Sequence, residues 1–557
     1  MPEARGDIRE IVGQPVFVPL YKLFRTYGPV FRLSFGPKTF VVVSDPAVAK
    51  RLLLTDAAKY SKGLLSEILE FVMGEGLIPA DGEVWRVRRR AIVPALHRRY
   101  VASMVGMFGA ASRRGCDRLA AADGAPVEME NFFSRLALDI IGKAVFNYEF
   151  DALDNDDPVI QAVYTALREA EYRSTAFIPY WNFPPLRWIV PRQRRVQEAL
   201  VTINATLDGL VAKCRALCAR EGDVFGEEFL SEEDPSILHF LLASGEEISS
   251  KQLRDDLMTM LIAGHETTAA VLTWTMHLLA EHPEAAARVR AEADALLGGA
   301  PDPALGHKPD GMGGRLPTVD DLRELRFTTR VINESMRLYP QPPVLIRRAL
   351  EDGEAGGYPV KAGTDFFISV WNLHRSPALW DEPDAFRPER FGPVDGTAPV
   401  PNETTTDYAY LPFGGGRRKC VGDQFALFES VVALATLMRR FDFARPPGAP
   451  PVGMTTGATI HTTAGLYLTA TPRRDGLGGG GGGGGLGGAS AGAGGGAAGA
   501  AGAAGAGMQQ PAMRIVALGD GQGAAAAAAA PAMASGGCPF KLGQGGASSG
   551  GAAAAPA

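Results

Sequence analysis

The sequence predicts a mainly α-helical protein with a small β-rich region. Apolar residues recur at helical spacing in four segments, 45–54, 133–146, 194–220 and 424–441. Two shorter segments, 29–44 and 364–371, carry the alternating and β-branched patterns that are typical of strands. Hydrophobic residues make up 46% of the 557-residue chain, which is enough apolar material for a large core.

The chain divides by composition near residue 475. Residues 1–474 have the composition of a folded protein and are predicted to form one domain, whereas 475–557 consists largely of Gly and Ala. Such a segment buries too little surface to order its backbone, so we expect a disordered low-complexity tail. The Gly- and Pro-rich segment 298–315 is predicted to be a surface loop.

Charge and cysteine content exclude several classes of protein. A formal net charge of -6 does not favour binding of nucleic acid through bulk charge. The five cysteines follow no repeating spacing, so they do not predict a disulfide-rich secreted framework. No apolar run near Met1 has the length of a membrane span or the order of a secretory signal.

The longest predicted helix begins after Ser249 and ends before Pro283. Ser249 and Gln252 have the spacing of a capping box, and Pro283 cannot continue a helix. At 1.5 Å per residue this helix is roughly 50 Å long, enough to cross a large domain. The polar run 264–268 interrupts its apolar pattern at the middle, which excludes a membrane span and indicates a functional role.

A glycine-rich loop, Phe413–Gly422, places a cysteine at the start of a predicted helix. Its three successive glycines let a backbone approach a flat ligand, and free N–H groups at a helix start stabilise a thiolate on Cys420. No general base and no partner for zinc lies nearby in the sequence, whereas a single axial thiolate on a porphyrin iron fits. A lone cysteine in a glycine loop is more often structural, so the loop by itself leaves the choice open.

Residues of this loop match the haem-binding signature of the cytochrome P450 superfamily, namely Phe413, Gly416, Arg418, Cys420 and Gly422. The chain therefore resembles that superfamily. The resemblance implies a P450 fold over residues 1–474, in which haem b lies between a large helical domain and a small β-rich subdomain. It makes Cys420 the ligand of the haem iron and places Phe413, Gly416 and Arg418 at the cofactor.

Further motifs follow in the order that is typical of the superfamily. The segments NESMR and PERF correspond to its structural ion-pair network, formed here by Glu334, Arg337 and Arg390. The segments WRVRR and VLIRRAL resemble its ligands of the haem propionates, here Trp85, Arg89 and Arg347. A helical ion pair by itself would be an ordinary solvated surface contact.

The polar centre of the long helix, AGHETT, matches the oxygen-activation motif of the superfamily. From spacing, Gly264 opens space beside the helix and the Thr267 hydroxyl bonds back to the carbonyl of Ala263. A hydroxyl beside a carboxylate forms a proton relay, so Thr267 and Glu266 are the predicted catalytic residues for the use of O2. Hydroxyl groups that merely satisfy the helix backbone are the structural alternative.

Long stretches, among them GLIPADGEVWRVRRRAIVPALHRRYV and MTTGATIHTT, are similar to the plastid carotenoid hydroxylases of the superfamily. This similarity implies hydroxylation of carotenoid β-rings and a chloroplast location at the plastid membrane, with the transit peptide absent from the chain. The substrate-contact regions of the family correspond to Ala263, Gly264, Val344, Thr459 and Ile460.

Two surfaces are predicted to meet partners. Positive charge in the segments 85–90, 97–99 and 417–419 favours docking of an acidic electron donor such as ferredoxin, with Arg88 and Arg90 as contacts. The alternative is that these arginines only bind propionates and solvate a helix. The apolar segment 11–24 predicts either peripheral membrane contact or packing against the sheet.

Several other functions remain open from the sequence. Within the superfamily these are hydroxylation of ε-rings, hydroxylation of fatty acids or other lipids, and haem-thiolate isomerase or dehydratase activity. Because isomerases of this type often lack the acid and threonine pair, Glu266 and Thr267 argue against the last of these. A haem sensor without catalytic activity is the alternative outside the enzymes.

Overall fold

Helices form most of the computed structural model, which describes residues 1–4, 14–35, 38–155, 158–175, 180–221, 236–243, 249–393, 395 and 400–473. The first helices are α1 (Phe17–Tyr27), α2 (Pro46–Lys50), α3 (Leu64–Met73), α4 (Gly82–Ala95), α5 (Arg98–Ser103), α6 (Val105–Ala121), α7 (Met129–Phe146), α8 (Pro158–Thr175), α9 (Leu186–Ile189), α10 (Pro191–Glu221) and α11 (Ile237–Ala243). The later helices are α12 (Ser250–Glu281), α13 (Pro283–Leu297), α14 (Asp321–Glu324), α15 (Arg326–Leu338), α16 (Val370–Arg375) and α17 (Asp423–Arg440).

The strands are short and belong to a few small sheets. They are β1 (Glu3–Ala4), β2 (Val30–Phe35), β3 (Lys38–Val43), β4 (Tyr60–Ser61), β5 (Val127–Glu128), β6 (Val344–Ala349), β7 (Gly353–Ala355), β8 (Tyr358–Val360), β9 (Asp365–Ser369), β10 (Phe441–Ala444), β11 (Met454–Thr456), β12 (Ile460–Thr462) and β13 (Tyr467–Pro472). The largest sheet has six strands in the order β1-β2-β3-β9-β6-β4. A three-stranded sheet has the order β10-β13-β5, and β11 forms a hairpin with β12.

The six-stranded sheet joins distant parts of the chain and fixes the direction of β6. Strand β3 pairs with β9 in parallel, with Val41 opposite Phe366, and β9 pairs with β6 in the antiparallel sense. Since neighbouring residues of a strand point to opposite faces, Arg347 and Arg348 on β6 project to different sides of the sheet.

Helix α12 is the central helix of the fold. The Ser249 hydroxyl accepts from the N–H of Gln252 at 3.1 Å, whereas the Gln252 amide donates to the carbonyl of Glu75 instead of returning to Ser249. The predicted capping box is therefore half formed. With 32 residues, α12 is about 48 Å long, and it packs along α7 inside the main hydrophobic core.

Two elements differ from the predicted pattern for local reasons. The predicted strand 364–371 ends at Ser369, because the Ser369 hydroxyl caps α16 by accepting from the N–H of Asn372 at 3.3 Å. The predicted helix 45–54 is α2 followed by one π-helical turn, Arg51–Thr55. The segments 133–146, 194–220 and 424–441 are helical almost throughout, as predicted.

The remaining predicted segments have mixed outcomes. The surface loop 298–315 is tied to the body by the ion pair of Arg315 with Asp321 at 2.6 Å and by that of Asp310 with Arg439. The predicted tail 475–557 lies outside the described residues. Where the segment 11–24 is described, it turns apolar side chains inward: Phe17 is buried and its ring lies 4.4 Å from that of Trp371. Among the described residues, no helix combines the length and the apolarity of a membrane span.

Candidate functional site

The cysteine loop is closed by backbone hydrogen bonds. The N–H of Cys420 donates to the carbonyl of Phe413 at 3.0 Å, and that of Lys419 donates to Gly416 at 3.1 Å. Since α17 begins at Asp423, Cys420 precedes the helix instead of starting it, which corrects the prediction. The N–H of Gly422 donates to the sulfur, so one backbone donor takes the role that was expected of the helix start.

Cys420 is an exposed residue, although enough protein surrounds it to desolvate its thiol. Burial raises the pKa of the Cys420 thiol, while the N–H of Gly422 and the cations Arg89 and Lys419 act in the opposite direction. By contrast, Cys116 is buried and desolvation raises the pKa of its thiol to about 12. Because a metal ligand needs a reachable sulfur with stabilising donors, Cys420 has the surroundings of a ligand and Cys116 those of a core residue.

Two of the loop glycines are required by contacts within the protein. Gly416 has a φ of +65°, and a Cβ there would overlap the carbonyl oxygen of Leu53. A Cβ at Gly415 would lie 2.8 Å from the ring of Tyr408, whereas a Cβ at Gly414 would make ordinary van der Waals contact with the Leu345 side chain at 3.8 Å. Packing within the protein therefore requires glycine at positions 415 and 416, whereas the predicted reason was close approach to a flat ligand.

Four cations lie close together beside the cysteine loop. We call them the cationic cluster: Lys62, Arg89, Arg347 and Arg418. The guanidinium of Arg418 stacks on the indole of Trp85 at 3.9 Å, and that of Arg89 lies 5.8 Å from the same ring. Arg89 also donates to the carbonyl of Lys419 at 2.8 Å, which ties α4 to the loop.

The cationic cluster holds more positive than negative charge. Among the described residues, its one ion pair to a carboxylate joins Arg418 to Asp81, and the one hydrogen bond of the Arg347 guanidinium goes to the carbonyl of Ile346 at 2.7 Å. Burial and then the charge of Arg418 lower the pKa of Arg347 to about 10, and burial lowers that of Lys62 well below its usual value. Buried charge of one sign is costly, so the residues of the cluster fit an anionic ligand.

The middle of α12 has the predicted hydroxyl geometry but not the predicted open space. The Thr267 hydroxyl donates to the carbonyl of Ala263 at 2.8 Å. Ala263, Gly264 and Thr267 keep partial accessibility in a helix whose other central residues are buried. The space in the Cβ direction of Gly264 is filled by the Ile141 side chain of α7, so this glycine serves close packing of two helices.

Glu266 is part of a charged chain that sequence analysis did not find. Its Oε1 accepts from the Thr459 hydroxyl at 2.9 Å and lies 2.7 Å from Nε2 of His461. The Nδ1 atom of His461 lies 2.6 Å from Oε1 of Glu130, in the first turn of α7. His265 lies on another side of α12, where its Nε2 is 2.7 Å from the Ser134 hydroxyl.

Two of the five predicted substrate contacts are core residues. Thr459 is buried and its hydroxyl is used by Glu266, while Ile460 is fully buried and packs with Trp274 and Tyr339. Neither side chain reaches a space that a ligand can enter, which corrects the prediction for Thr459 and Ile460. Ala263, Gly264 and Val344 keep accessible surface.

The predicted ion-pair network exists and is buried. Glu334 pairs with Arg337 at 2.8 Å and with Arg390 at 2.9 Å. The remaining donors of Arg337 go to the carbonyls of His374, Pro383 and Ala385, so all five donors of this guanidinium are used. The network joins α15 to the segment 383–390, which follows it in the sequence.

The predicted docking contact Arg88 lies inside the protein. Its side chain is 5% accessible and pairs with the buried carboxylate of Asp256 at 2.5 Å. Arg90 on the same helix is exposed, as are Arg98 and Arg417. Because Arg88 and Arg90 are separated by two positions of a helix, they point to different sides, and of the two only Arg90 is exposed.

Comparison with known proteins identifies the family of this chain. The sequence profile of the cytochrome P450 family matches residues 7–468. The chain belongs to the cytochrome P450 family. It is 60% identical over 475 residues to the Arabidopsis thaliana protein named "Protein LUTEIN DEFICIENT 5, chloroplastic", covering 85% of this chain and 77% of that one.

Other members of the family extend the comparison. The carotene epsilon-monooxygenase, chloroplastic, of Arabidopsis thaliana is 49% identical over 472 residues, covering 84% of each chain. The heme domain of cytochrome P450DA, a crystal structure, superposes with a TM-score of 0.70 at 25% identity, covering 85% of this chain and 97% of that one. The P450 fold and the resemblance to plastid members of the family, both predicted from the sequence, are confirmed.

The cofactor of this P450 is haem b, and residues of the site fit it. Cys420 is exposed, whereas Cys116 and Cys214 are buried, so the Cys420 thiol is the one of these three that a central iron can reach. The cationic cluster has more cations than carboxylates, and the two propionates of haem b would supply the missing negative charge. We therefore propose that Cys420 binds the iron and that Arg89, Arg347, Arg418 and Lys62 hold the propionates, with Trp85 supporting two of these guanidiniums.

Lys62, His461 and Glu130 are the site residues that sequence analysis missed. Lys62 stands alone in the segment YSKG, and its proximity to Arg347 depends on the pairing of β4 with β6. His461 is 195 positions from Glu266 in sequence, so no local spacing connects them. One signal was present in the sequence. His461 stands between apolar and small residues in the segment IHTT, a pattern that is typical of the strand it forms, β12.

Proposed function

We propose that this P450 hydroxylates rings of carotenoids, with β-rings as its preferred target. The supporting observation is the 60% identity to the LUTEIN DEFICIENT 5 protein over most of both chains, together with the similarity to a carotene monooxygenase. Hydroxylation of ε-rings is the second candidate, because the 49% identical relative is named a carotene epsilon-monooxygenase. The names of both relatives state a chloroplast location, and we propose the same compartment for this chain.

The residues divide the work of such a reaction. Bound haem b supplies one-electron chemistry and activation of O2. Cys420 provides its thiolate ligand, and the cationic cluster neutralises its carboxylates. Thr267 presents a hydroxyl at the accessible stretch of α12 and exchanges protons there, with Glu266 as its acidic neighbour. The apolar surroundings of Ala263 and Val344 exclude water from an apolar substrate.

Pigment analysis tests this function directly. Residues 1–474 are expressed in bacteria that make β-carotene, together with a ferredoxin and its reductase, and the extracted pigments are separated. We expect mono- and dihydroxylated β-ring products, which disappear in the Cys420→Ala variant. Intact thiolate ligation in the carbon monoxide spectrum without such products would reject this substrate, and ε-ring carotenes and fatty acids would be tested next.

A single variant separates an oxygenase from a haem sensor. Thr267→Ala removes the hydroxyl that α12 presents at its accessible stretch. In an oxygenase, loss of this proton-handling group lowers the product formed per electron pair, and more of the reduced oxygen leaves as hydrogen peroxide. A protein whose only role is to sense haem would retain its haem affinity and spectrum and show no change in peroxide release.

We propose that an acidic ferredoxin-type donor docks on the exposed arginines near the cysteine loop. Arg90 and Arg417 are exposed, and Arg89 between them contacts the loop. The double variant Arg90→Glu and Arg417→Glu is expected to slow reduction of the iron, more strongly at low ionic strength, and to leave the spectrum unchanged. Arg25→Glu, an exposed reversal on α1, is the control. Equal reduction rates in all three proteins would reject this docking surface.

We further propose peripheral membrane contact through the exposed apolar segment 183–189. Phe183, Trp188 and Ile189 are 59%, 72% and 69% accessible, and the exposed Arg194 and Arg195 follow. Exposed apolar side chains beside cations favour an anionic lipid surface. The double variant Trp188→Ser and Ile189→Ser should reduce flotation with phosphatidylglycerol-containing vesicles. The control Leu305→Ser changes an exposed apolar residue elsewhere (68% accessible) and should not reduce it. Equal flotation would reject this site.

A further inference from the structure

A chain of three side chains connects the oxygen-activation motif to another part of the fold. We call it the relay chain: Glu130 on α7, His461 on β12 and Glu266 on α12. The two ring nitrogens of His461 face different carboxylates, with Nδ1 2.6 Å from Glu130 and Nε2 2.7 Å from Glu266. These distances are those of charge-assisted hydrogen bonds at both ends of one imidazole ring.

The opposite charges of the relay chain stabilise each other and shift the pKa values of His461 and Glu266. Burial lowers the pKa of His461, but hydrogen bonds and charges of Glu130 and Glu266 outweigh it and raise the pKa to about 10. Burial raises the pKa of Glu266, but His461 outweighs it, with smaller help from His265 and Thr459, and the pKa falls to about 2. At neutral pH the chain therefore contains an imidazolium between two carboxylates.

This arrangement decides where a proton on Glu266 comes from. As a carboxylate, Glu266 has no proton of its own to give to Thr267. The groups in contact with its Oε1 are the Thr459 hydroxyl and Nε2–H of His461. An aliphatic hydroxyl is far too weak an acid to supply a net proton, whereas the imidazolium of His461 carries an ionisable proton on Nε2.

We propose that His461 is the proton donor that recharges Glu266 for the oxygen chemistry of this P450, and that Glu130 is the residue that positions it. In the transfer the Nε2–H bond breaks and an O–H bond forms on Oε1 of Glu266. His461 becomes neutral with its remaining proton on Nδ1, hydrogen-bonded to Glu130. Glu266 then passes this proton to the Thr267 hydroxyl, which releases its own proton to the oxygen site as it accepts the new one, and Nε2 takes a new proton from water.

The exposure of the three side chains fits this direction of transfer. The side chain of His461 is 30% accessible, so its ring reaches water, whereas that of Glu266 is 10% accessible. The backbone N–H of Thr462 donates to Glu130 at 3.2 Å and helps to fix the orientation of the ring that Glu130 binds, and the Thr462 hydroxyl makes a further contact. Water that cannot easily reach Glu266 can therefore protonate His461.

The strong ion pair does not prevent the transfer. Each charge of the pair holds the other in place, so moving the proton removes both charges together. Once His461 is neutral, its contribution to the low pKa of Glu266 is gone, and burial then favours the protonated acid. Consumption of the proton at the oxygen site draws the transfer forward, and the ion pair re-forms when Nε2 is protonated again.

The first experiment observes the charge of His461 without any substrate. Nitrogen-15 spectra of histidine-labelled holoenzyme are recorded against pH, and the His461 signals are those that His461→Gln removes. We expect an imidazolium at neutral pH that loses its proton near pH 10. Glu130→Gln should lower this midpoint. A neutral His461 ring at pH 7 would overturn the proposal, whatever the substrate of the enzyme is.

The second experiment measures coupling and rests on the proposed function. With β-carotene as the probe substrate, His461→Gln and Glu130→Gln should lower product per electron pair on the order of 10-fold and raise release of hydrogen peroxide. In the wild type this ratio should fall as pH rises toward 10, and in His461→Gln it should be independent of pH over the same range. A role confined to holding the fold would shift the melting temperature but not create this difference in pH profile.

The matched control removes a hydrogen bond beside the relay chain and keeps the Nε2–H proton of His461. Thr462→Val deletes the hydroxyl that contacts Glu130 and leaves both nitrogens of His461 with their carboxylates. It should resemble the wild type in its pH profile. Unchanged coupling in both His461→Gln and Glu130→Gln, with melting temperatures and carbon monoxide spectra intact, would reject the proposal. If β-carotene is not converted at all, the nitrogen-15 titration still decides the charge state.

Discussion

Two groups of buried arginines in this protein differ in how completely their charges are satisfied. In the network of Glu334, Arg337 and Arg390, the central guanidinium of Arg337 uses all five donors on protein acceptors. In the cationic cluster, the guanidinium of Arg347 makes one hydrogen bond among the described residues, to the carbonyl of Ile346. Both sites are buried, so burial alone does not distinguish structure from function.

The difference lies in what would complete each site. A saturated network has no group left for a ligand, and its energy is spent within the fold. An unsaturated cluster of like charges destabilises the protein until an anion binds. The binding free energy of the anion is then more favourable than it would be in a neutral pocket. Counting satisfied donors therefore separates the structural arginines of this P450 from those that hold its cofactor.

The largest effect is expected when the saturated network is broken. Glu334→Gln leaves Arg337 and Arg390 buried without their carboxylate, and loss of one partner of such a group costs about 3–5 kcal/mol. We expect a large fall in melting temperature and little soluble holoenzyme. Glu389→Gln is the control, because Glu389 is 55% exposed and pairs only with Arg288, so its loss should cost less than about 1 kcal/mol. Similar melting temperatures for both variants would show that the network is not structural.

The unsaturated cluster should respond in the opposite sense. Arg347→Met removes a buried cation that lacks a carboxylate, so the haem-free protein should be stabilised by about 1 kcal/mol or more. Haem retention should fall roughly 10-fold, because a hydrogen bond to a charged group contributes about 1.5–3 kcal/mol. Urea unfolding of the haem-free protein and transfer of haem to apomyoglobin measure the two effects.

Its neighbour on β6 provides the control for that prediction. Arg348 faces the other side of the strand and binds Asp365 through two hydrogen bonds at 2.9 and 2.8 Å. Arg348→Met should therefore destabilise the haem-free protein by about 1 kcal/mol and leave haem retention unchanged. If Arg347→Met destabilises the haem-free protein as well, the cluster is satisfied without a ligand and our comparison fails.

Local spacing predicted the helices and placed Glu334 and Arg337 on one helix face, whereas their ion-pair network was predicted from resemblance to the superfamily. The helical periodicity of 424–441 and the three-residue separation of Glu334 and Arg337 require only one element of structure each. Arg390 came from resemblance to the family, and the structure places it 2.9 Å from Glu334. Thr267 and its bond to Ala263 were predictable for the same local reason.

Errors arose where a residue's surroundings come from distant elements. Arg88 lies in a basic run, yet the buried Asp256 on α12 draws it inward. Gly264 was expected to open a space, but Ile141 from α7 fills it. Thr459 and Ile460 were expected at the substrate, but Glu266 and the cluster around Trp274 use them. None of these partners can be identified from spacing, because each contact depends on tertiary packing.

The relay chain is intermediate between the two arginine groups, since each of its charges faces an opposite charge but the chain is partly accessible to water. The pKa of His461 is raised from 6.5 to about 10, so its ion pairs stabilise the fold fully below about pH 6.5 and lose this effect as pH rises to 10. The pKa of Glu266 is lowered from 4.5 to about 2, so its contribution is complete above about pH 4.5. The stability difference between wild type and His461→Gln should therefore be greatest between these limits, on the order of 1 kcal/mol after solvent screening, and should decline toward pH 10. Melting temperatures of both proteins across this range measure it, and a difference that stays constant to pH 10 would show that His461 is neutral in the folded protein.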